Sequence, residues 1–337
     1  MTKFNKKEKS LKAIVIKNPG KNSYLQWDDV PMVKPGSKEV VIRVHATAVN
    51  RADLLQRRGL YPPPAGASDI VGLECAGEIV ETVTDTSQHR VGDRVCALLT
   101  GGGYSEYVNV HEDMVFSVPQ SMTYEQAAAI PEAFVTAYLN LFDIGQLKND
   151  EACLIHSGGS GVGTAAIQLA KYVKAMVITT AGSNEKIELC KTLGADFAFN
   201  YHEVLFAEKI EQQLPIGKGL DLILDTVGAN YLSDNINLLG YRGRMIVIGH
   251  LSGSKAQLNL DHVLKKNIMI RGSTLRHLPI DDKIILIQNV RSKVMPLFEK
   301  GIIKPIVDSV FSIKQVEAAH RRIIDNKNFG KIVISMG

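Results

Sequence analysis

The sequence predicts an α/β protein in which a doubly wound parallel sheet is joined to a smaller β-barrel domain. Three observations predict this class. Residues from about 131 to 275 alternate apolar strand-like runs with helical runs, and residues 1 to about 130 hold short strand-like runs separated by Gly and Pro. A glycine-rich turn also follows the first apolar run of the middle part.

Length and composition are those of a globular protein of two domains. The chain has 337 residues, of which 45% are hydrophobic and 22% are charged, an ordinary mix for a soluble protein. These proportions exclude collagen, a coiled coil and a disordered chain. No run approaches the roughly 18 apolar residues of a membrane span, so we expect no membrane partner.

The net charge of +4 is carried by the start of the chain. Five lysines and one glutamate lie within the first twelve residues, so the remaining sequence is neutral. A nucleic-acid surface needs clustered positive charge on the folded body. We therefore expect no nucleic-acid partner, and the sequence offers no reason for the lysine-rich start.

Cysteine usage and the N-terminal sequence favour the cytoplasm. The four cysteines contain no C-x-x-C pair and are expected to be buried, reduced thiols. The apolar run Ala13–Ile16 is too short for the core of a signal peptide.

The first part of the chain, residues 1–130, is predicted to form the β-barrel domain. Its strand-like runs are rich in β-branched residues. They are KAIVIK, EVVIRVHATAV, ECAGEIVETV, DRVCALL and YSEYVNV, and the pairs and triplets of Gly and Pro between them indicate turns.

The middle part, residues 131–275, is predicted to form the parallel sheet. Its strands are ACLIHS, AMVITT, ADFAFN, LDLILDT, GRMIVIG and NIMIRGS. Helices are predicted in GVGTAAIQLAKYVK, NEKIELCKTLG, HEVLFAEKIEQQL and NYLSDNINLL. Strands that are apolar throughout, each followed by a helix, are typical of a sheet covered on both faces.

The last part, residues 276–337, is predicted to return to the first domain. A helix in DDKIILIQNVRSKVMPLFEKG precedes the strand IVDSVF. A helix in KQVEAAHRRIIDN and the strand KIVISM complete the chain.

The glycine-rich turn predicts a dinucleotide site. It lies between a buried strand and an amphipathic helix, where glycines let the backbone approach a diphosphate and the helix start offers free N–H groups. Its candidate cofactor-binding residues are Ser157, Gly158, Gly161, Val162 and Gly163. No Lys-Ser/Thr pair follows the turn, which disfavours a P-loop nucleotide hydrolase.

The end of the second strand favours NADPH over NADH. An acidic residue there would repel a 2′-phosphate, but this strand ends in Thr-Thr-Ala followed by Gly182 and Ser183. Ser183 can donate to a phosphate and Lys186 can supply charge. Glu185 weakens the preference unless it points away.

Ligands of doubly wound folds lie beyond the carboxyl ends of the strands. That rule adds the residues at the later strand ends to the candidate cofactor site. They are Tyr201, Thr226, Gly249, Ser273 and Thr274. Tyr201 is equally compatible with an ordinary half-buried surface tyrosine.

Several segments resemble the zinc-free quinone oxidoreductases of the medium-chain dehydrogenase/reductase superfamily, and within them the p53-inducible group. They are AVNRADLLQRRGLYPPPAGAS, GLECAGEIV, GDRVCALLTGGGYSEYV, QAAAIPEAFVTAY, IHSGGSGVGTAAIQLAK and NKNFGKIV. The resemblance implies a Rossmann-type cofactor domain, a GroES-like catalytic domain and a homodimer.

The resemblance also implies chemistry without zinc. Zinc-dependent members place a Cys and a His where this chain has Asn50 and Leu73. The structural zinc of relatives needs four clustered cysteines, which this sequence lacks. No metal is therefore expected.

Individual roles are carried over position by position. The resemblance places Asn50 beside the nicotinamide and assigns the pocket lining to the loop from Arg51 to Asp53. It places Thr136 near the carboxamide and Tyr138 near the cofactor. It matches Ser183, Lys186 and Tyr201 to the end that holds the 2′-phosphate.

Two further residues have open roles. Tyr61, before Pro62–Pro64, faces the pocket by analogy and either donates a proton or hydrogen bond to the substrate or forms an aromatic wall. His156 ends the first strand of the cofactor domain and is interpreted as a structural hydrogen-bonding residue.

These observations favour an NADPH-dependent quinone oxidoreductase that transfers hydride from nicotinamide to a quinone. An enone or alkenal double-bond reductase uses the same cofactor, and the sequence does not separate the two. A third hypothesis is an NADPH-binding structural or RNA-binding protein with little turnover, against which the neutral body argues. The apolar run NIMIRGS, at the expected edge of the sheet, is consistent with a homodimer.

Overall fold

The computed structural model describes residues 10–32, 34–83 and 88–337. The lysine-rich residues 1–9 lie outside this description. The chain divides into two compact units. Unit 1 comprises the described residues up to Val135 together with Arg276–Gly337, and unit 2 comprises Thr136–Leu275.

The first part of unit 1 holds short strands and short helices. The strands are β1 (Ser10–Lys17), β2 (Tyr24–Pro31), β3 (Glu39–Ala48), β4 (Glu74–Thr82), β5 (Arg94–Leu98), β6 (Tyr107–His111) and β7 (Val115–Ser117). The helices are α1 (Arg51–Arg57) and α2 (Tyr124–Ala128). Helix α3 (Pro131–Tyr138) begins in unit 1 and ends in unit 2, where a π-helical turn, Leu139–Ile144, follows it.

Unit 2 alternates strands and helices. The strands are β8 (Ala152–Ile155), β9 (Met176–Ala181), β10 (Phe197–Asn200), β11 (Leu220–Asp225), β12 (Leu239–Val247) and β13 (Met269–Gly272). The helices are α4 (Gly161–Tyr172), α5 (Asn184–Thr192), α6 (Phe206–Glu211), α7 (Leu232–Leu238) and α8 (Leu260–Lys266).

The last part of the chain completes unit 1. Its elements are α9 (Ile280–Lys293), α10 (Met295–Glu299), β14 (Val307–Ser312), α11 (Val316–Ile324) and β15 (Lys331–Ser335). The single helix predicted for residues 281–301 is divided at Val294, because Pro296 follows two residues later and lacks an N–H for a continuous helix.

The described strands of unit 1 form a mainly antiparallel sheet. Its order is β14-β15-β3-β4-β5-β7, with β6 paired to β3 and with β1 and β2 in a separate ribbon. The C-terminal strand β15 pairs with β3, between Val333 and Ala48 among others. The early and late parts of the chain are therefore joined by backbone hydrogen bonds.

Unit 2, all of whose residues are described, is built on a parallel sheet of order β10-β9-β8-β11-β12-β13. The order runs outward in both directions from β8 and β11, as in a doubly wound sheet. The prediction of an α/β protein with this sheet is confirmed. Within the described ranges, none of the helices combines the length and apolar composition that crossing a bilayer requires.

The differences from the predicted elements are local. The short elements β7, α1 and α2 were not predicted, and neither were β2 and α8, since YLQWDDVP carries two aspartates and LDHVLKK is short and charged. The helix expected over residues 202–214 is reduced to α6. The four cysteines are free and buried, as expected.

Candidate functional site

The glycine-rich turn joins β8 to α4 at the middle of the unit 2 sheet. Ser157 adopts a left-handed conformation with φ of 57°, and its hydroxyl lies 2.8 Å from the Thr226 hydroxyl at the end of β11. Gly158 N–H donates to the Thr180 carbonyl at 2.9 Å. The turn is therefore fixed by the ends of both neighbouring strands.

Two glycines of the turn leave no room for a side chain. A Cβ on Gly158 would lie 2.2 Å from Thr179 Oγ1, and a Cβ on Gly163 would lie 2.3 Å from the Ser157 carbonyl oxygen. Both contacts are far inside van der Waals distance. The glycines are therefore required for the shape of the turn, as the sequence predicts for a backbone that closely approaches a ligand.

The start of α4 presents unused backbone donors. Ser160 caps the helix by accepting from Gly163 N–H at 2.9 Å. The N–H groups of Gly161 and Val162 have no hydrogen-bond partner among the residues that the structure describes. Two free N–H groups at the positive end of a twelve-residue helix fit the diphosphate of a dinucleotide.

The end of β9 places the residues predicted to contact a 2′-phosphate together. Ser183 is the N-cap of α5 and accepts from Lys186 N–H at 3.2 Å. Glu185 is exposed in the first turn of the same helix. Tyr201, after β10, packs its ring 4.5 Å from that of His202 and donates its N–H to the Ala181 carbonyl.

The remaining candidate residues at the strand ends of unit 2 differ from one another in their contacts and exposure. Gly249 lies so close to the Thr226 carbonyl oxygen that a Cβ would approach it to 2.8 Å. Ser273 N–H continues the ladder by donating to Val247, and Thr274 is exposed. Gly182 is partly buried directly after β9. These residues all follow strands of the same sheet.

His156 is a structural residue of the unit 2 core. It is fully buried, and its ring nitrogens lie 2.9 Å from Thr180 Oγ1 and 2.8 Å from Asn235 Oδ1. Burial lowers its pKa to about 4, against the smaller raising effect of the Asn235 hydrogen bond. The imidazole is therefore neutral near pH 7.

The two residues that the resemblance assigned to α3 belong to the start of unit 2. The carbonyl of Thr136 accepts from Asn140 Nδ2 at 2.7 Å. Tyr138 is 4% exposed and packs against Phe142, with ring centres 5.2 Å apart. Tyr138 therefore has little free surface, whereas Thr136 is partly exposed.

A buried polar centre surrounds Asn50 in unit 1. Asn50 Nδ2 donates to Glu74 Oε1 at 2.8 Å, and Lys331 Nζ donates to Asn50 Oδ1 at 2.6 Å. Lys331 also forms a 2.7 Å ion pair with Glu74, with side chains 6% and 0% exposed. The three side chains satisfy one another, which a buried charge requires.

Asp53 stabilises the start of α1 from inside the core. Its carboxylate accepts from the N–H of Asn50 at 2.7 Å, from the N–H of Gly72 at 3.2 Å and from the Tyr104 hydroxyl at 3.2 Å. It is completely buried, and burial raises its pKa to about 6 although these three donors and Lys331 lower it.

A chain of hydrogen bonds leads from Asp53 to a partly exposed glutamate. The Tyr104 hydroxyl lies 3.2 Å from His320 Nε2, and His320 Nδ1 lies 3.3 Å from Arg57 NH1. A guanidinium only donates, so Nδ1 accepts and the neutral ring carries its proton on Nε2. Arg57 also pairs with Glu317 at 3.0 Å. Burial, then the Arg57 charge, lowers the pKa of His320 to about 3.

Tyr61 lies beside a cationic and an imidazole side chain. Its hydroxyl is 3.1 Å from His277 Nδ1, and the Arg276 guanidinium lies 5.4 Å from its ring centre. Arg276 is 4% exposed and donates to Gln56, to the Thr100 carbonyl and to the Tyr61 carbonyl. Burial and Glu132 raise the pKa of Tyr61, which Arg276 partly offsets.

Glu132, in the first turn of α3, adjoins the same centre. Its N–H donates to Glu74 Oε2 at 2.8 Å. Burial, and next the Glu74 charge, raises the pKa of its carboxyl to about 8. Lys283, which donates to the Arg276 carbonyl at 2.7 Å, lowers that pKa in part.

The described residues hold no group of three or more His, Cys, Asp and Glu side chains arranged to bind a metal ion. The carboxylates of the Asn50 centre are instead bonded to Lys331, to amides and to backbone N–H groups.

Sequence reasoning missed most of this centre. Glu74 was noted only as the neighbour of Leu73, and Lys331, Tyr104, Arg276, His277, Lys283, His320 and Glu132 were not singled out. They come from seven separate segments and meet only in the folded unit. A usable signal was the presence of acidic residues inside apolar runs, as in GLECAG and AAIPEAF, where a buried charge needs a partner.

Two family models match the chain. A model described as alcohol dehydrogenase GroES-like domain matches residues 36–120, and one described as zinc-binding dehydrogenase matches residues 161–292. The first lies within unit 1, and the second covers most of unit 2 and continues into α9. The predicted GroES-like domain is thereby confirmed.

Proteins of known name match over nearly the whole chain. The quinone oxidoreductase of the pig is 31% identical over 331 residues, which are 97% of this chain and 98% of that protein. The synaptic vesicle membrane protein VAT-1 homolog of the rat is 31% identical over 347 residues, covering 97% of this chain and 84% of that protein.

Solved structures of similar proteins superimpose on nearly the whole chain. The enoyl reductase CurK superimposes with a TM-score of 0.85 at 27% identity over 98% of this chain and all of that one. A mycobacterial protein complexed with NADPH gives a TM-score of 0.85 at 25% identity over 97% of this chain and 99% of that one. The chain belongs to the medium-chain dehydrogenase/reductase superfamily, a family of pyridine-nucleotide-binding oxidoreductases.

Proposed function

We propose that the protein is an NADPH-dependent reductase of quinones. The observation that carries the proposal is the turn before α4. Its N–H groups at Gly161 and Val162 have no partner among the described residues, and Gly158 and Gly163 leave no room for a side chain. When bound there, NADPH supplies the hydride. The quinone oxidoreductase of the pig supports the choice of acceptor.

Preference for NADPH over NADH is proposed from the end of β9. The Ser183 hydroxyl and the Lys186 side chain lie in the first turn of α5, where a 2′-phosphate also gains from the positive helix end. Glu185 is exposed and so is free to turn toward solvent. The NADPH complex of the mycobacterial relative is consistent with this choice.

The Asn50 centre and the neighbouring Tyr61 are proposed to orient the substrate. A quinone is already electrophilic, so holding the reacting atoms at about 3–3.5 Å supplies the main effect, worth roughly 7–11 kcal/mol of the barrier. Asn50 is fixed for this task by Glu74 and Lys331. Asp53 contributes by fixing Asn50, since it is itself buried.

Reduction of an enone or alkenal double bond is the second candidate. The enoyl reductase CurK and a second enoyl reductase, JamJ, each superimpose with a TM-score of 0.85. Both reactions use the same hydride donor and leave a negatively charged oxygen on the substrate.

The buried, free cysteines support a cytoplasmic location as part of the same proposal.

The test is consumption of NADPH and of NADH against a small panel of ortho-quinones, para-quinones and enones. We expect kcat/KM to be higher with NADPH and with a quinone. Fluorescence titration with each cofactor runs in parallel. Turnover of enones alone would select the second candidate, and no binding of either cofactor would overturn both.

A further inference from the structure

Glu132 is a carboxyl that the fold does not use. Its main-chain N–H donates to Glu74, but its side chain has no hydrogen-bond partner among the described residues. By contrast, Asp53 has three donors, and Glu74 is paired with Lys331 and Asn50. An unpaired carboxyl in a partly buried position lowers the stability of the folded protein. We therefore expect such a group to be present because it has a function.

Glu132 adjoins the Asn50 centre, which is part of the proposed substrate site. Glu74 Oε1 accepts from Asn50 and Glu74 Oε2 accepts from the Glu132 N–H, so one carboxylate ties the two residues together. Glu132 also acts electrostatically on Tyr61 and Arg276. Glu132 is partly exposed, in contrast to the fully buried Asp53, so a small molecule can approach this residue.

The protonation state of the Glu132 carboxyl at neutral pH is the one that a proton donor needs. Burial and then the negative charge of Glu74 raise the pKa of Glu132 to about 8, and Asp53 raises it further. Lys331 and Lys283 act in the opposite direction. A carboxyl with this pKa is mainly protonated at pH 7, which is close to the best value for a general acid at neutral pH.

We propose that the Glu132 carboxyl donates the proton that the substrate oxygen needs after hydride transfer. This inference rests on the proposed function. The hydride brings two electrons and one proton to the substrate and leaves an enolate or phenolate oxygen. The O–H bond of Glu132 then breaks as the substrate O–H bond forms, and the resulting carboxylate regains a proton from water.

The neighbouring groups are less suited to this step. Asp53 is fully buried, with its oxygens already engaged. The Tyr61 hydroxyl is hydrogen-bonded to His277, and burial raises its pKa, which makes it a weaker acid. We therefore expect Tyr61→Phe to reduce kcat with a quinone by well under about a hundredfold.

The two proposed substrate classes need the donor to different extents. A quinone is already strongly electrophilic, whereas an enone is a much weaker hydride acceptor, so the negative charge that builds up on the oxygen needs more stabilisation from a proton donor when the substrate is an enone. We expect Glu132→Gln to lower kcat by about a hundredfold with an enone, within the usual range for a general acid. With a quinone the loss should be below about tenfold, since less acid catalysis is needed.

The experiment compares wild type, Glu132→Gln and Glu299→Gln across pH 6 to 9.5, with NADPH and both substrate classes. Glu299→Gln is the matched control, because Glu299 is an exposed glutamate at the end of α10. For wild type with an enone, kcat should fall as the pH rises through about 8, because the active form is the protonated acid. That decline should be absent in Glu132→Gln and unchanged in the control.

Two further measurements keep the outcomes separate. Cofactor titration and the melting temperature show whether each variant is folded and binds NADPH. If wild type reduces no quinone or enone, the proposed function fails. If wild type is active, Glu132→Gln with unchanged kcat and the same pH profile overturns the role of Glu132 alone. A wild-type enone profile that stays flat to pH 9.5 does the same, even if the variant fails to fold.

Discussion

Asp53 shows how a single residue can couple a helix start to the protonation state of the core. Its carboxylate accepts from the backbone N–H of Asn50, the N-cap residue of α1, and it has no contact with solvent. Burial outweighs its donors, so its pKa is raised to about 6. A raised carboxyl pKa means that the folded protein binds a proton more tightly than the unfolded chain does.

Asp53→Asn is therefore expected to have a pH-dependent cost. The contribution of the Asp53 proton to stability is full below the unfolded pKa and is lost as the pH rises through about 6. The cost of the substitution should accordingly be about 2 kcal/mol larger at pH 4 than at pH 7. Urea unfolding of both proteins at the two pH values measures it. An equal cost at both values would contradict the raised pKa.

The control for this experiment is Asp261→Asn. Asp261 is an exposed carboxylate on α8 that pairs with Lys265 one turn later. Such surface pairs contribute about 0–1 kcal/mol. We expect its cost to be small at both pH values.

Gly161→Val tests the proposed diphosphate contact at the residue scale. The valine side chain would stand beside the free N–H groups at the start of α4, so we expect NADPH binding to be abolished. Fluorescence titration with NADPH measures the loss, with Gly36→Val as a control in a unit 1 loop. Gly36 has space for a Cβ, whose nearest neighbour would be the flexible Glu39 side chain at 3.4 Å. Tight NADPH binding by folded Gly161→Val would contradict the assigned site.

At the scale of elements, one ion pair joins three segments of unit 1. Lys331 begins β15, Glu74 begins β4, and both bond Asn50 before α1. Lys331 Nζ also donates to the Val49 carbonyl at 3.0 Å. The buried pair therefore fixes the position of α1 relative to the sheet, in addition to satisfying its own charges.

Lys331→Met should be strongly destabilising. Removing one partner leaves the fully buried Glu74 charge without its cation, which typically costs about 3–5 kcal/mol. Lys12→Met is the comparison, since it breaks a 2.7 Å pair with Asp29 whose side chains are 42% and 60% exposed. That loss should be much smaller, because solvent screens an exposed pair. Chemical denaturation measures the loss in unfolding free energy for both variants. Similar losses would show that burial of the Lys331 pair has no special effect on stability.

At the scale of the whole molecule, β13 ends the unit 2 sheet with an open edge. Its four residues are exposed, with Met269 and Ile270 exposed by 37% and 38%. Among the strands that the structure describes, β12 is the one that pairs with it. An apolar edge strand of this kind invites pairing with another chain, and we propose that a second copy of this chain pairs there.

Ile270→Lys is expected to shift the protein from dimer to monomer, because a lysine on the edge opposes strand pairing. Sedimentation velocity over a range of concentrations measures the distribution. Ile216→Lys is the matched control, since Ile216 is a fully exposed isoleucine in a loop of the same unit. A wild-type protein that sediments as a monomer at all concentrations would overturn the proposed dimer.

Prediction from sequence succeeded where the signal is local or periodic. The apolar strands of unit 2 and the glycine turn were located because each is a continuous run whose spacing determines its structure. It failed for β2 and α8, whose charged and polar residues hide the pattern. β2 is held by its pairing with all eight residues of β1, a tertiary effect that a propensity argument does not see.

The residues of the candidate site also fall into those that local sequence predicts and those that it does not. The α/β class, the turn from Ser157 to Gly163 and the residues at the strand ends were predictable from the amino-acid order, because strand, turn and helix are adjacent in the chain. Asn50, Glu74, Glu132 and Lys331 come together through folding, since their contacts join positions 24 to 281 residues apart. A buried charge depends on its partner, its burial and its pKa, and these are set by packing between distant segments.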